Sequence, residues 1–338
     1  MKPAAMKTTA KPTAMRTTLA LTVLGLVANL GTAAAQSHAM HQHSAPPRAA
    51  ASTPTVADTT AAAAPVAPAV AAAARAASKA LPKTGIVLGE PVAFGNGTAR
   101  TLAVIDLDGK PITLGVSLSA TALEGLPPGT PADDLGWLYR LPLPAGVALP
   151  PFDHVGLYWN PLGHEPRGIY DVGHFDVHFF LTTPEQADVI TAVDRDLEKV
   201  YRLPPASAIP AGYFLPPGTQ HRRMGVHWID GGTHELHGES FTATYIIGSY
   251  DGQVNFLEPM IARSFLLTRP DLTKPLAQPA AFARAGWYPT EWSVRWDEGR
   301  GEYLVLLDGL RWQDASLPAA TTVATVPSAD APAASGTH

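Results

Sequence analysis

Prolines and glycines interrupt this sequence so frequently that long helices cannot form. They occupy 33 and 29 of the 338 positions, and both residue types disfavour helix interiors. The segments between them are short, and many alternate apolar with polar residues, as strands do. Residues 101–107 and 112–118, for example, flank a turn at Asp108 and Gly109. The pattern predicts a mainly β protein, either a β-sandwich or a β-barrel.

One segment has the pattern of a helix. Thr183 can cap its start, Pro184 suits the first helical position, and Gln186 completes a capping box. Apolar residues then recur at helical spacing up to Tyr201. We therefore expect one helix over about 183–202, with its apolar stripe packed against the core.

The start of the chain has the pattern of a secretory signal peptide over residues 1–35. Four basic residues come first, an apolar run follows at 19–28, and three alanines at 33–35 offer a cleavage site before Gln36. The apolar run is too short to cross a bilayer, and no later segment approaches 18 uninterrupted apolar residues. The sequence predicts an exported protein, periplasmic or extracellular, with no membrane span after cleavage.

Two further segments have a composition that cannot build a core. Residues 36–83 and 314–338 are mostly Ala, Pro, Thr and Ser, so we expect a disordered linker and a disordered tail. The linker carries His38, His41 and His43, which we expect to be solvated. The remaining residues, 84–313, are long enough for a single β-rich domain.

Composition excludes several classes of protein. The chain has no cysteine, so disulfides, thiolate metal sites and cysteine nucleophiles are excluded. Its formal net charge is −5, which argues against a nucleic-acid partner. No Gly-x-Ser-x-Gly elbow and no phosphate-binding loop occur in the sequence.

Histidines are concentrated in one part of the domain, where eight of the twelve fall between positions 154 and 237. The sharpest element is the strand candidate at 174–180. There His174, Asp176 and His178 share one face, while the intervening residues are apolar. Neighbouring side chains on that face are about 7 Å apart. Imidazole and carboxylate groups so arranged are typical ligands of a divalent metal.

Two other strand candidates supply further ligands. His227 follows a glycine and precedes a tryptophan, and Glu258 lies in an otherwise apolar strand after the turn at 251–252. A carboxylate in such a place needs a cation, a hydrogen-bond donor or a proton. We therefore expect His174, His178, His227 and Glu258 to bind one divalent metal. The alternatives are a polar strand face of mutually hydrogen-bonded histidines and an exposed Glu258 on an edge strand.

Three more residues are candidates for an outer role in this site. Asp176 can fix the tautomer of a ligating histidine. His164 and Glu165, in the loop at 159–166, can provide an alternative ligand or a general base, although a solvated loop is the competing interpretation. The donor types do not distinguish zinc, iron, manganese, nickel and copper.

Several segments together resemble an uncharacterised family of bacterial exported proteins, a domain of unknown function with a Thermus relative under extracytoplasmic sigma-factor control. The segments that carry the resemblance lie, in order, at 95–100, 115–116, 159–166, 174–179, 224–228, 250–252, 258–260 and 288–290. This sequence departs from the family pattern at two positions. Arg222 stands where the family has a proline before Arg-Met-Gly, and Gly173 stands where it has a proline before His174. The resemblance implies a mainly β fold, export and self-association as a homo-oligomer, and it implies no particular activity.

Three functional hypotheses follow. The first is an exported cell-envelope protein that binds a divalent metal or an unknown small-molecule ligand through its His/Glu cluster. The second is a metal-dependent enzyme similar to the cupin oxygenases and isomerases. The third is a structural, self-associating protein without metal, whose histidines satisfy each other.

Overall fold

Two antiparallel sheets of seven strands each make up most of the computed structural model, which describes residues 85–131 and 136–317. The strand order is β1-β3-β4-β15-β14-β12 in the first sheet, with β2 also paired to β3, and β5-β6-β7-β11-β10-β9-β8 in the second. A separate pair is formed by β13 and β16. The strands are β1 (Gly85–Leu88), β2 (Val92–Phe94), β3 (Gly97–Ile105), β4 (Pro111–Ser119), β5 (Trp137–Pro142), β6 (His154–Asn160), β7 (His174–Phe180), β8 (Tyr213–Phe214), β9 (Val226–Asp230), β10 (Ala243–Tyr250), β11 (Gln253–Ala262), β12 (Asp271–Pro275), β13 (Gly286–Tyr288), β14 (Glu291–Asp297), β15 (Glu302–Asp308) and β16 (Arg311–Gln313).

The two large sheets share one hydrophobic core. Val116 and Val305 of the first sheet belong to the same buried cluster as Leu157, Val177 and Phe179 of the second. Alternation along each strand places these side chains on the inner faces. The fold is therefore a β-sandwich, which confirms the predicted fold class and selects the sandwich over the barrel.

The turn at 251–252 connects β10 to β11 and, with a bulge next to it, fixes their register. Asp251 and Gly252 both have positive φ, 49° and 78°, as the type I′ turn of a two-residue hairpin requires. Tyr250 consequently pairs with Gln253, and the register then shifts by one residue between Ser249 and Gly248, so that Ile246 pairs with Glu258. The turn and the bulge together set the position of Glu258 in the second sheet.

The segment predicted as one helix over 183–202 is divided in the structure. The capping box of Thr183 and Gln186 is present and starts α1 (Pro184–Asp188), but the chain turns out of the helix before α2 (Leu197–Val200). The Asp196 carboxylate accepts hydrogen bonds from the backbone N–H groups of Thr191 and Ala192. These N–H groups are thereby withdrawn from a helical ladder, so the stripe predicted from spacing does not form a continuous face.

The remaining helical elements of the described ranges are short. They are α3 (Arg263–Leu266) and the 3₁₀ turns Asp194–Asp196, Ala206–Ala208 and His234–His237. None of the helices in the part of the chain that the structure describes is long and apolar enough to cross a membrane.

The predicted signal peptide at 1–35, the predicted linker at 36–83 and the part of the predicted tail from 318 onward lie outside the described residues. The first residues of that tail, 314–317, are described. There the backbone N–H groups of Ser316 and Leu317 donate to the carbonyl oxygen of Phe282. The chain therefore remains attached to the domain for four residues beyond the predicted boundary at 313.

Candidate metal centre

Strand β7 presents its polar residues on the face of the second sheet that is turned away from the shared core. Phe175, Val177 and Phe179 enter the core, so His174 and His178 point to the opposite face. Both histidines are nevertheless completely buried, because loops cover that face. The alternation predicted from the sequence is thus present, and the polar face of β7 is buried inside the protein.

His178, His227 and Glu258 form the first candidate group, which we call the inner group. One ligand atom from each lies within 4.8 Å of the others. Nε2 of His178 is 3.5 Å from Oε2 of Glu258, and Nε2 of His227 is 3.8 Å from the same oxygen. The side chains come from β7, β9 and β11. The pairs Leu257–Phe179 and Met260–Asp176 place Glu258 opposite His178 in the register.

The inner group combines a buried carboxylate with imidazoles that burial keeps neutral. Burial lowers the pKa of His178 to about 4. Burial, together with the nearby His221 and His178, also holds the pKa of His227 well below its usual range. For Glu258, burial and the charge of Asp176 raise the pKa well above its usual range. Neutral imidazoles are the form of histidine that binds a metal ion, and binding at this group would release the proton that the raised pKa leaves on Glu258.

Hydrogen bonding leaves ligand atoms of the inner group free. Nδ1 of His227 lies 2.7 Å from the carbonyl oxygen of Thr219. Since that oxygen only accepts, Nδ1 carries the proton and Nε2 presents its lone pair toward Glu258. Nε2 of His178 and Oε2 of Glu258 are buried without a hydrogen-bond partner among the described residues, while the backbone of Gly156 interacts with the His178 ring. Such orphaned atoms are costly unless a cation satisfies them.

Phe256 supports the inner group from beneath. Its ring centroid lies 4.7 Å from that of His178 and 5.2 Å from that of His227. The ring passes over Gly248 of β10, where a Cβ atom would come within 2.0 Å of it. A side chain at 248 would therefore displace the ring that holds the two histidines.

His164, His174 and Asp176 form a second candidate group, which we call the outer group. Their ligand atoms also lie within 4.8 Å of one another. Nε2 of His174 is 3.1 Å from Oδ1 of Asp176, and Nε2 of His164 is 3.3 Å from Oδ2. His164 comes from the loop between β6 and β7, and its side chain is 27 % exposed, whereas Asp176 is buried.

The electrostatics of the outer group differ from those of the inner group. Burial raises the pKa of the Asp176 carboxyl, but the nearby His174 and His164 outweigh burial and hold that pKa well below its usual range. Burial lowers the pKa of His164, but the Asp176 charge outweighs it and leaves that pKa raised. Asn160 adds a hydrogen bond of 2.7 Å to Oδ2 of Asp176. Asp176 is therefore an anion in the folded protein.

One pocket of about 240 Å³ reaches both groups. Its lining includes His164 and Asp176 of the outer group and His227 and Glu258 of the inner group. His221 also lines it, and its ring centroid lies 6.3 Å from that of His164 and 5.3 Å from that of His227. A ligand that enters the pocket therefore meets residues of both groups.

The structure brings together three of the four residues predicted to share one metal. His174 joins His164 and Asp176 instead, because a strand rise of about 3.4 Å per residue separates it from His178 by four residues along β7. Glu165 lies outside both groups, since its side chain is 60 % exposed and paired with Arg167. A hydrogen bond from its own backbone, together with Arg167, lowers the pKa of Glu165 against the opposing effect of burial.

Sequence reasoning missed His221, Gly248 and Phe256. His221 stands in a loop without strand alternation, where a short bridge pairs it with Gly225, just before β9. Gly248 and Phe256 look like ordinary strand residues in the sequence. Their pairing in the register between β10 and β11 is what gives them a role.

Comparison with known proteins gives one match. Residues 106–159 match the family model of TTHB210-like proteins, described as hypothetical protein TTHB210, from Thermus. No curated protein and no solved structure matches the chain. The matched residues span β4, β5 and nearly all of β6, and they end before His164. The chain is thus similar to an uncharacterised Thermus family in part of its sandwich, and the candidate ligands lie outside the matched segment.

Proposed function

We propose that this chain is an exported cell-envelope protein that binds a divalent metal ion through His178, His227 and Glu258. The observation that carries the proposal is the buried Glu258 carboxylate, whose oxygen lies within 3.8 Å of two imidazole nitrogens. The charge of Asp176 disfavours its ionisation further. A divalent cation would offset both the burial of this carboxylate and the nearby charge of Asp176, because it stabilises the ionised Glu258. It would also accept the free lone pairs of the two histidines.

The donor set defines the chemistry of the site. Two imidazoles and one carboxylate suit zinc and iron, and manganese, nickel and copper also accept them. Three protein ligands leave at least one coordination position for a further group. The pocket along His227 and Glu258 supplies the space for it.

Metal analysis of the full chain, purified without a histidine tag, tests the proposal. His38, His41, His43 and His338 are replaced by glutamine in every protein, so that histidines of the two ends do not contribute. We expect the parent protein to retain metal and to gain thermal stability with Zn²⁺, because a ligand of the folded state raises its stability. We expect His227→Ala to lower the metal content and the gain in stability.

His237→Ala is the matched control, since His237 belongs to neither group and its Nε2 lies 2.9 Å from the carbonyl oxygen of Gly231. It should retain the metal content of the parent protein. Equal stability of the parent and His227→Ala, with and without chelator, would contradict the proposal and leave a polar core of mutually hydrogen-bonded histidines.

A second candidate function is a metal-dependent enzyme similar to cupins. The observation that favours it is the pocket, because an open coordination position facing a cleft is typical of catalytic metal sites. Substitution with Co²⁺ tests this candidate by visible absorption. A spectrum that changes when azide is added indicates an exchangeable position, whereas an unchanged spectrum indicates a closed site and argues against catalysis at the metal.

A further inference from the structure

We propose that the chain has a second divalent-metal site, formed by His164, His174 and Asp176, which opens on the same pocket. This site goes beyond the proposed function, because the ligands of the two groups are different residues. It has the same donor types as the inner group, two imidazoles and one carboxylate.

The argument begins with the protons on the two histidines. Nδ1 of His174 lies 2.7 Å from the carbonyl oxygen of Val172, and Nδ1 of His164 lies 2.6 Å from that of Glu165. Because a carbonyl oxygen only accepts, each Nδ1 donates. In a neutral ring, Nε2 is then the atom with the free lone pair, and in both residues Nε2 is directed at Asp176. Backbone carbonyls fix ligating histidines in this way at metal sites.

An ion pair between His164 and Asp176 does not account for the whole group. That pair uses Oδ2 of Asp176, which already accepts from Asn160. Oδ1 of Asp176 and Nε2 of His174 face each other at 3.1 Å, and both atoms are buried. Nδ1 of His174 already holds a proton, so Nε2 is joined to the carboxylate either by a second proton on the ring or by a cation bound to both atoms. The ligand atoms of His164, His174 and Asp176 lie within 4.8 Å of one another, a spacing that one metal ion bound to all three can bridge.

The pocket determines what such a site can take up. His164 and Asp176 line it, and so do His227 and Glu258. Two divalent ions bring four positive charges, and three carboxylates line the pocket, those of Glu165, Asp176 and Glu258, so the loaded pocket keeps a surplus of positive charge. Its walls include Ile229 and Ile246, which leave that charge poorly screened. The class of ligand that fits is a small oxyanion, a step that also rests on the proposed function because it needs both ions.

Equilibrium dialysis against Zn²⁺ followed by metal analysis tests the second site. It uses the full chain with the four terminal histidines replaced, as above. We expect two bound ions in the parent, one in His164→Gln, one in Glu258→Gln and two in the control His237→Gln. His164 is chosen because it lies on a loop and is partly exposed. Asp176→Asn is the second variant, with near-ultraviolet circular dichroism of the metal-free proteins to confirm folding, and it should also bind one ion.

The outcomes separate the two proposals. One ion in the parent, lost in Glu258→Gln and kept in His164→Gln, would overturn the second site and leave the proposed function standing. One ion in the parent, lost in His164→Gln and kept in Glu258→Gln, would overturn the proposed function and leave the second site standing. No bound ion would overturn both.

Calorimetric titration with inorganic phosphate tests the ligand class. The protein loaded with two ions should bind phosphate at least tenfold more tightly than His164→Gln. Equal affinity of the two proteins, or no binding by either, would overturn the assignment of an oxyanion to the pocket.

Discussion

The carboxyl groups of Asp176 and Glu258 project from the adjacent strands β7 and β11 into one pocket, and their pKa values are shifted in opposite directions. Burial raises the pKa of both. At Asp176, His174 and His164 outweigh burial, whereas at Glu258 the charge of Asp176 adds to it. Glu258 is therefore the carboxyl group whose protonation would change most when a cation binds.

Glu258→Gln should stabilise the metal-free protein at neutral pH. The folded-state pKa of Glu258 is raised, so the stability that it contributes is present below the unfolded pKa of about 4.3 and is lost as pH rises through the folded pKa. Glutamine has no such loss. We expect the free energy of unfolding at pH 8, measured with urea and chelator, to rise by about 1–3 kcal/mol, and the difference to vanish near pH 4.

Glu302→Gln is the contrasting control for that prediction. Glu302 lies 2.6 Å from Arg100 and 2.7 Å from Arg300. Burial raises its pKa, but hydrogen bonds from Arg300 and Arg100 outweigh burial and lower it. Glu302→Gln should therefore destabilise the protein at pH 8. A loss of stability in metal-free Glu258→Gln at pH 8 would show that Glu258 has a stabilising partner already.

Gly248→Ala should weaken both the fold and the metal site. The new Cβ atom would lie 2.0 Å from the Phe256 ring, which contacts His178 and His227. Overpacking of this kind costs about 1–3 kcal/mol, so we expect a lower midpoint of urea unfolding and a lower affinity for Zn²⁺. Gly299→Ala is the control, since its nearest neighbour would be 3.5 Å away. If Gly248→Ala bound Zn²⁺ with the affinity of the parent protein, Phe256 would not be needed to position His178 and His227.

Asp196→Asn should lower stability at neutral pH and lower it less in acid. Burial raises the pKa of Asp196, but hydrogen bonds from Tyr250 and from two backbone N–H groups outweigh burial and lower it. Stability from such a group is present above the unfolded pKa of about 3.9 and is lost as pH falls through the folded pKa. We expect a loss of about 1 kcal/mol at pH 7, measured by urea unfolding, which decreases as pH falls through the lowered folded pKa of Asp196.

The exposed Asp194 in the same turn provides the control for Asp196→Asn. Asp194→Asn should leave stability unchanged at neutral and at acid pH. An equal loss in the two variants would indicate an effect of net charge in the turn rather than of the hydrogen bonds to Thr191 and Ala192.

The mature protein should begin at Gln36. The basic residues at the start, the apolar run at 19–28 and the alanines at 33–35 motivate this prediction. Mass spectrometry of protein from the producing cells should show loss of the first 35 residues. A full-length species that starts at Met1 and remains in the cytoplasm would contradict export.

Strand alternation and turn residues were sufficient to predict a mainly β fold, and the structure was needed to choose the sandwich over the barrel. Asp251 and Gly252 fix a hairpin through their own backbone preferences, and the apolar residues of β7 choose their face without help from distant residues. The helix over 183–202 could not be predicted in full, because the carboxylate of Asp196 competes for backbone N–H groups within the segment. The spacing of apolar residues contains no information about hydrogen bonds between a side chain and the backbone.

The residue types of the candidate site and the strand face that carries them could be predicted from the sequence. The division of these residues into an inner and an outer group could not. Alternation places His174, Asp176 and His178 on one face, but the grouping depends on which strands are neighbours. Glu258 meets His178 because β11 pairs with β7, and His174 meets His164 because the loop after β6 folds back. These contacts join distant segments, so a single sequence does not contain them in readable form.

Anomalous diffraction at the zinc edge, from crystals of the full chain grown with Zn²⁺, tests the central claim most directly. We expect a peak about 2 Å from an imidazole nitrogen of His178, a nitrogen of His227 and a carboxylate oxygen of Glu258, the distances of zinc to these ligands. The same peak should be absent from crystals of His227→Ala. A crystal saturated with zinc that shows no peak between these three side chains would contradict the account.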